Sequence, residues 1–319
     1  MKVVSVLVFS LFAQAAAAQA WPEQSVRILV GFTPGTAPDV SARVLADKLA
    51  EPLGKPVVVE NITGAGGNIG AQRVAKAPAD GYTLGMIGNG SLVFSPSMTD
   101  KLGFDPVKDF APITQVFVGA NVLVVPATSS IKSLAELVDA ARAQPGKLTY
   151  AHAGAGTSQH LGAELFMSMT GVKIQQVPYR GTTQVLPDLL GGRLNIFFGN
   201  ISNVLPLVRE GKLRAFATTS RKRSSEIPEL PTMEELGFPG YEATAWFGLM
   251  GPAGLPQPIV EKIHAETTKV MAQPDVRKKL ESLGLQLVGN TPAEFLQTVK
   301  DELPMWGKVI KDAGIKAAQ

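Results

Sequence analysis

Hydrophobic positions along the chain fall into a repeated sequence of a short β-type run, a glycine-containing turn, and a stretch with apolar residues at helical spacing. "VRILVGF" (26–32) leads into a segment with apolar positions at Val40, Val44, Leu45 and Leu49, closed by Gly54, which predicts a strand followed by a helix. "KPVVVEN" (55–61) passes through "ITGAGGNIG" into a helix around 71–76, and "YTLGMIG" (82–88) supplies the next strand. The pattern restarts mid-chain. "NVLVVPA" (121–127) precedes a helix over 134–143, and "KLTYAHAG" (147–154) precedes one over 161–169 that Gly171 closes. "IQQVPY", "RLNIFFG" and "LRAFATT" read as further strands. After the strand-like "TAWFGLMGP" (244–252), helices are expected to begin near Pro258 and Pro292, since proline suits a first helical turn. Strands alternating with helices predict an α/β fold with parallel sheets covered on both faces. Two such domains are the economical reading, with the apolar stretches 122–125 and 246–250 crossing between them. A chain that leaves one domain and later returns has two connections that can hinge, and a ligand would sit in the cleft between the lobes.

The chain of 319 residues opens "MKVVSVLVFSLFAQAAAAQA", with one basic residue, a short apolar run and small residues ending at Ala20. This reads as a secretory signal peptide over residues 1–20, because the apolar run is far shorter than the ~20 residues a membrane span needs. The mature chain is then expected to start near Trp21. It contains no cysteine, which removes disulfides, thiolate metal sites, cysteine nucleophiles and a lipid-bearing cysteine together. About 300 residues can bury a sufficient core without them. Loss of Lys2 lowers the formal net charge from +3 to +2. The densest basic run, "SRKRSS" (220–225), is followed by acidic residues and has no interleaved aromatics, so it reads as a solvated turn and nucleic acid is not an expected partner.

Candidate chemistry lies in the turns. In "FTPGTAPDV" (32–40) a strand ends, Pro34-Gly35 turns, and Thr36-x-x-Asp39 has the spacing of a capping box. Backbone N–H groups at such a helix start, with the positive end of the helix dipole, can hold an anion without a lysine. "AHAGAGTSQHLGAELF" (151–166) joins strand to helix in the same way, with Gly154 and Gly156 for close approach, Thr157 or Ser158 at the helix start, and His160 in the first turn, where the dipole disfavours protonation. One such loop on each lobe would grip a carboxylate from both sides. "GAGGNIG" (64–70) departs from G-x-G-x-x-G and has no acidic residue about twenty positions on, so it reads as a helix-start loop with Asn68 near the cleft and no nucleotide cofactor is expected. His152, His160 and His264 have no metal-ligand spacing, and no G-x-S-x-G elbow occurs, so neither a metal nor a catalytic group is assigned and the protein is not expected to be an enzyme.

These stretches, together with "DGYTL", "VPYRGTTQVLPDLLGGRLNI", "GKLRAFATTS", "PTMEELGFPGYE" and "WFGLMGPAG", resemble in order the periplasmic Bug-type receptors of tripartite tricarboxylate transporters, over essentially the whole mature chain. The resemblance implies a two-lobed, type II flytrap protein with two crossing strands, here with one lobe over 21–121 and 246–319 and the other over 122–245. It also implies a periplasmic location, a small carboxylate as ligand, and a membrane permease as partner. In the family the two loops grip the carboxylate, which here assigns Phe32, Thr33, Gly35, Thr36, Ala37, Asp39, Gly156, Thr157, Ser158 and His160, with Asn68, Asn89, Tyr179 and Asn200 toward the far end of the ligand. Thr33 and Thr36 stand where the family usually has a proline and a glycine. Gly199 stands where an aspartate is frequent, which disfavours an amino acid and favours a dicarboxylate or aromatic carboxylate. A monomer is expected. A sensor feeding a membrane kinase and an exported hydrolase are the alternative functions.

Overall fold

The computed structural model describes residues 21–99, 101–312 and 314–315; the proposed signal peptide lies outside the described residues. The chain forms two sheets. The first contains β1 (Val26–Val30), β2 (Val57–Asn61), β3 (Thr83–Gly88), β4 (Phe110–Gly119), β10 (Ala245–Pro252) and β11 (Leu285–Leu287), in the order β11-β4-β10-β3-β1-β2. The second contains β5 (Asn121–Pro126), β6 (Thr149–His152), β7 (Gln175–Pro178), β8 (Ile196–Asn200) and β9 (Leu213–Thr218), in the order β7-β6-β8-β5-β9. Helices cover both faces. They are α1 (Ala37–Leu53), α2 (Asn68–Ala75), α7 (Gln257–Ala272), α8 (Pro274–Glu281) and α9 (Pro292–Asp312) around the first sheet, and α3 (Leu134–Ala143), α4 (Ser158–Thr170), α5 (Thr182–Leu190) and α6 (Ile201–Arg209) around the second.

The sheets are mixed, which corrects the expectation of parallel sheets. β1 pairs parallel with β2 and β3, and β6 parallel with β7 and β8, but β10 runs antiparallel to β3 and β4, and β5 antiparallel to β8 and β9. The reversed strands are the ones that carry the chain between sheets. The two halves share a plan, since β2-β1-β3-β10 and β7-β6-β8-β5 are the same arrangement of three parallel strands beside an antiparallel crossing strand. Side chains alternate between cores as strand geometry requires. Leu123 and Val125 of β5 pack with Tyr150, Phe166 and Phe198 on one face, while Val122 and Val124 pack with Phe197, Val185 and Val204 on the other. In the first half Ile28 and Val30 join Leu45 and Leu49 of α1, whereas Leu29 joins Phe94 and Trp306 beneath α9.

Helix boundaries follow local signals. α1 starts after Thr36 with Pro38 in its first turn and stops at Gly54, whose φ of 68° is left-handed. α4 starts after Thr157 and stops at Gly171, with φ of 70°. The periodic reading missed β4, β11, α5, α6 and α8. α5 and α6 are nine-residue helices with internal prolines, Pro187 and Pro206, which break the sequence signal. β4 is interrupted by Pro112 and Gln115 and shifts register against β10.

The chain passes from the first sheet to the second within Gly119, Ala120 and Asn121, and returns through 219–244. These connections are bonded side by side. Asn121 N–H donates to Thr219 Oγ1 at 3.0 Å, Asn121 Nδ2 donates to the Ala243 carbonyl at 2.9 Å, and Ala243 N–H donates to the Thr219 carbonyl at 3.0 Å.

Candidate functional site

The parallel strands of both halves end at one cleft, so the helices that follow them start there. The loops after β1 and β6 are built alike. Gly35 and Gly156 take left-handed φ values of 81° and 76°, open to glycine at little cost. Thr36 and Thr157 come next, at φ −80°, ψ 159° and φ −82°, ψ 157°. Each threonine hydroxyl donates to the carbonyl three residues back: Thr36 Oγ1 to Thr33 O at 2.7 Å, and Thr157 Oγ1 to Gly154 O at 2.9 Å. In each loop a side chain on the third helical residue then reaches back to the glycine N–H: Asp39 Oδ2 accepts from Gly35 at 2.9 Å, and His160 Nδ1 accepts from Gly156 at 3.3 Å.

That correspondence revises two roles. Thr36 makes no side-chain cap of the kind the capping-box spacing suggested, whereas Thr157, whose hydroxyl donates into its loop in the same way, also accepts from His160 N–H at 3.4 Å. Asp39 and His160 shape their loops and do not line the cavity between them. Asp39 also receives Asn61 Nδ2 at 2.8 Å and pairs with Arg43 at 2.9 Å. Burial alone would raise its carboxyl, but the bonds from Arg43, Asn61 and Gly35 outweigh burial and hold it below the usual carboxylate value. His160 is pushed down to about 3 by burial first and by His152 second, the rings being 4.6 Å apart. It is therefore neutral, as the sequence suggested, with burial as the main cause.

Between the loops lies a small cavity of about 40 Å³. Of the residues expected at the ligand, Phe32, Thr36, Ala37, Asn89, Thr157, Ser158 and Asn200 line it. Asn89 and Asn200 are another matched pair. Each follows a glycine at the end of the third parallel strand of its half and donates to a crossing segment, Asn89 Nδ2 to the Thr244 carbonyl at 2.9 Å and Asn200 Nδ2 to Asn121 Oδ1 at 2.7 Å. Thr33, Gly35, Asp39, Asn68, Gly156, His160 and Tyr179 stand outside this cavity. Asn68 donates to Ser95 Oγ at 3.0 Å and borders a second, more open cleft with Gly156. Tyr179 is half-buried and donates to Asp188 Oδ2 at 2.5 Å. Thr33 Oγ1 lies 3.2 Å from Thr183 Oγ1 of the opposite half.

Residues that the sequence reading missed complete the wall. Phe117 and Phe247 stack with ring centres 5.4 Å apart, and Phe32 meets Phe247 edge-on at 5.4 Å. With Leu285, Ala120 and Ala245 they form an apolar face beside the crossing strands. Gln159 and Thr182, both buried, add polar groups. Phe117 was invisible because β4 was. Thr182 follows strand β7, so the strand-end logic applied to the first two loops would have found it once α5 was recognised.

None of the lining residues, among those described, carries a charge. Hydrogen-bond donors come from helix starts: in the first turns of α1 and α4 the N–H groups of Ala37, Ser158 and Gln159 have no intrahelical partner. Such a start favours an anion through its donors and its dipole. Gly199, whose identity disfavours an amino acid in the sequence reading, does not line the cavity; a Cβ there would lie 2.4 Å from Val204 Cγ1, so that position faces the packing of α6. The two halves touch through glycine backbone. A Cβ on Gly66 would lie 2.5 Å from the Ala155 carbonyl, and one on Gly90 would lie 2.9 Å from the Gly156 carbonyl.

A family profile, the tripartite tricarboxylate transporter family receptor, matches residues 41–315. The chain belongs to this receptor family. Among curated relatives, Protein BugT of Bordetella pertussis is 35% identical over 300 residues, covering 94% of this chain and 92% of its own. A Pseudomonas sp. (strain P51) protein encoded in the tcbD-tcbE intergenic region is 36% identical over 301 residues, covering 94% and 89%. Among solved structures, the periplasmic binding protein BugD has a TM-score of 0.88 at 32% identity, covering 93% of this chain and 99% of its own. An R. palustris protein solved with adipate has a TM-score of 0.89 at 36% identity, with the same coverage. MatC from Rhodopseudomonas palustris, solved with malate, has a TM-score of 0.87 at 32% identity, covering 91% and 100%. The receptor thus has the two-lobed binding-protein fold. Among its described residues no helix is long and apolar enough to cross a membrane, and no cluster of three metal-ligating side chains occurs.

Proposed function

We propose that this receptor is exported to the periplasm, captures a small organic carboxylate between its lobes, and delivers it to a two-component membrane permease as a monomer. The lobes are taken as 21–121 with 246–319, and 122–245, hinged where Asn121 and Ala243 bond. The observation that carries the reading is the pair of matched Gly-Thr helix starts, one from each half, facing a single cavity with no charged side chain. Backbone donors there neutralise a carboxylate at modest desolvation cost, and the aromatic face takes its apolar body. Thr36, Ala37, Thr157 and Ser158 are assigned to the carboxylate, with Asn89 and Asn200 beside it. A cavity without an acid has no counter-charge for an ammonium group, which favours a dicarboxylate or aromatic carboxylate over an amino acid. The adipate and malate held by two relatives support this class. Catalysis forms no part of this reading.

Thermal-shift and calorimetric titration with dicarboxylates, aromatic carboxylates and amino acids test it. Stabilisation by one of the first two classes is expected. Stabilisation by amino acids alone would sink the ligand assignment, and no response to any carboxylate would sink the function.

A further inference from the structure

A directional chain of amide hydrogen bonds runs along the side of the cavity that the 122–245 lobe supplies. At one end Ala153 N–H, which can only donate, gives its proton to Gln159 Oε1 at 2.9 Å. At the other end Asn121 Nδ2 donates at 2.9 Å to the Ala243 carbonyl, which can only accept. Between them Gln159 Nε2 donates to Asn200 Oδ1 at 2.8 Å, and Asn200 Nδ2 donates to Asn121 Oδ1 at 2.7 Å. Because both ends are fixed by backbone groups of one polarity, no amide in the chain can be reversed without setting donor against donor or acceptor against acceptor.

The second proton of Gln159 Nε2 goes to Thr182 Oγ1 at 2.8 Å. Thr182 Oγ1 is thereby obliged to accept from Gln159, and its own proton must point elsewhere. The side chain is 2% exposed, lines the cavity, and has no hydrogen-bond acceptor for that proton among the described residues. A buried hydroxyl proton without an acceptor is costly, so a partner is to be sought in the cavity. The corresponding helix start of the other half differs: Asn68, opening α2, is turned to Ser95 and stands outside the cavity.

We infer that Thr182 is a specificity-determining residue, donating its hydroxyl proton to an anionic oxygen of the bound ligand, and that Gln159 is the positioning residue that forces this direction. The inference rests on the carboxylate reading above and adds a third helix start, that of α5, to the two loops. A hydroxyl so held discriminates for an acceptor oxygen and against a donor at that point of the ligand. The grip is therefore asymmetric, with the 122–245 lobe supplying two helix starts where the other lobe supplies one.

The test uses the full mature chain and whichever carboxylate most stabilises the wild type in a screen of short mono- and dicarboxylates and benzoate. By calorimetry Thr182→Val should weaken binding by roughly tenfold to a hundredfold, the range for a bond to a charged partner, while Thr182→Ser should bind within a few-fold of the wild type. The ligand-free thermal midpoint of Thr182→Ser should stay near the wild-type value, so that a change in affinity is not mistaken for a change in folding. Gln159→Met should weaken binding in the wild-type background and far less in the Thr182→Val background, because both remove the same donor. Equal affinity of wild type and Thr182→Val, or independent losses in the double variant, would overturn the inference and leave the carboxylate reading standing. A wild type that binds no carboxylate would overturn both.

Discussion

Asp39 and His160 do not line the cavity, and each bonds back into its own loop. Both occupy the third position of a helix, and both spend an acceptor on the N–H of the glycine before the N-cap, which holds the turn that aims the free N–H groups. For Asp39 the consequence can be measured. Its carboxyl is held below the ordinary value of 3.8, so the stability it contributes is present above about pH 4 and is lost as the pH falls through its lowered folded value. Asp39→Asn is expected to cost about 1–3 kcal/mol at neutral pH by loss of charge-assisted bonds, and the gap between variant and wild type should close in acid unfolding below pH 4. A gap that persists unchanged in acid would assign Asp39 a different role. The sequence made both residues conspicuous through their place in the first helical turn, but placed them at the ligand. Only the distances separate a group that faces the cavity from one that ties the loop.

At the scale of elements, strand ends and glycine turns decide where the halves can meet. Gly90 approaches the Gly156 carbonyl so closely that a Cβ would sit 2.9 Å away, and its φ is not in the left-handed region, so alanine there meets a clash across the cleft without backbone strain. Gly90→Ala should therefore oppose closure, weakening ligand affinity by about tenfold or more, as overpacking does elsewhere, with little change in ligand-free thermal stability. Calorimetry and melting of the two proteins check this. Most elements were legible: α3 lies where its spacing put it, and α1 and α4 end at the glycines singled out. β4, α5 and α6 were not, since interior prolines and a shifted register erase the period on which such readings depend. With them went Phe117 and Thr182, and with those the apolar face and one polar corner of the cavity.

For the whole molecule, closure and charge make further predictions. Thr33 and Thr183 bring two hydroxyls from opposite halves within 3.2 Å, a contact that exists only while the halves are together. Thr33→Val should speed ligand dissociation roughly two- to fivefold, the scale of one exposed hydrogen bond, with little effect on association, as measured by stopped-flow. The cavity has no titratable side chain in its lining, and the histidines behind it are kept neutral by burial, His160 down to about 3. Carboxylate affinity should therefore be flat between about pH 5.5 and 8 in calorimetric titrations. A step near the ordinary histidine value would show that an imidazole reaches the ligand. The basic run 220–225 belongs to this scale too: Arg221 pairs with Glu242 at 2.6 Å and Arg223 with Glu235 at 2.8 Å, so much of its charge is answered within the chain.

The sequence by itself determined the alternation of strands and helices, the two glycine-threonine turns at strand ends, the absence of cysteine, and a resemblance strong enough to name the family. These are local or compositional properties, carried by residues within a turn or two of one another. Tertiary structure decided that the sheets are mixed, that the two turns are matched in their dihedral angles and face one another, and that Gly199 and Tyr179 lie away from the cavity. It also decided which way each buried amide points. That last property depends on a backbone donor at Ala153 and a backbone acceptor at Ala243, ninety residues apart in the chain. Hydrogen-bond polarity passes between such groups only when folding has brought them together.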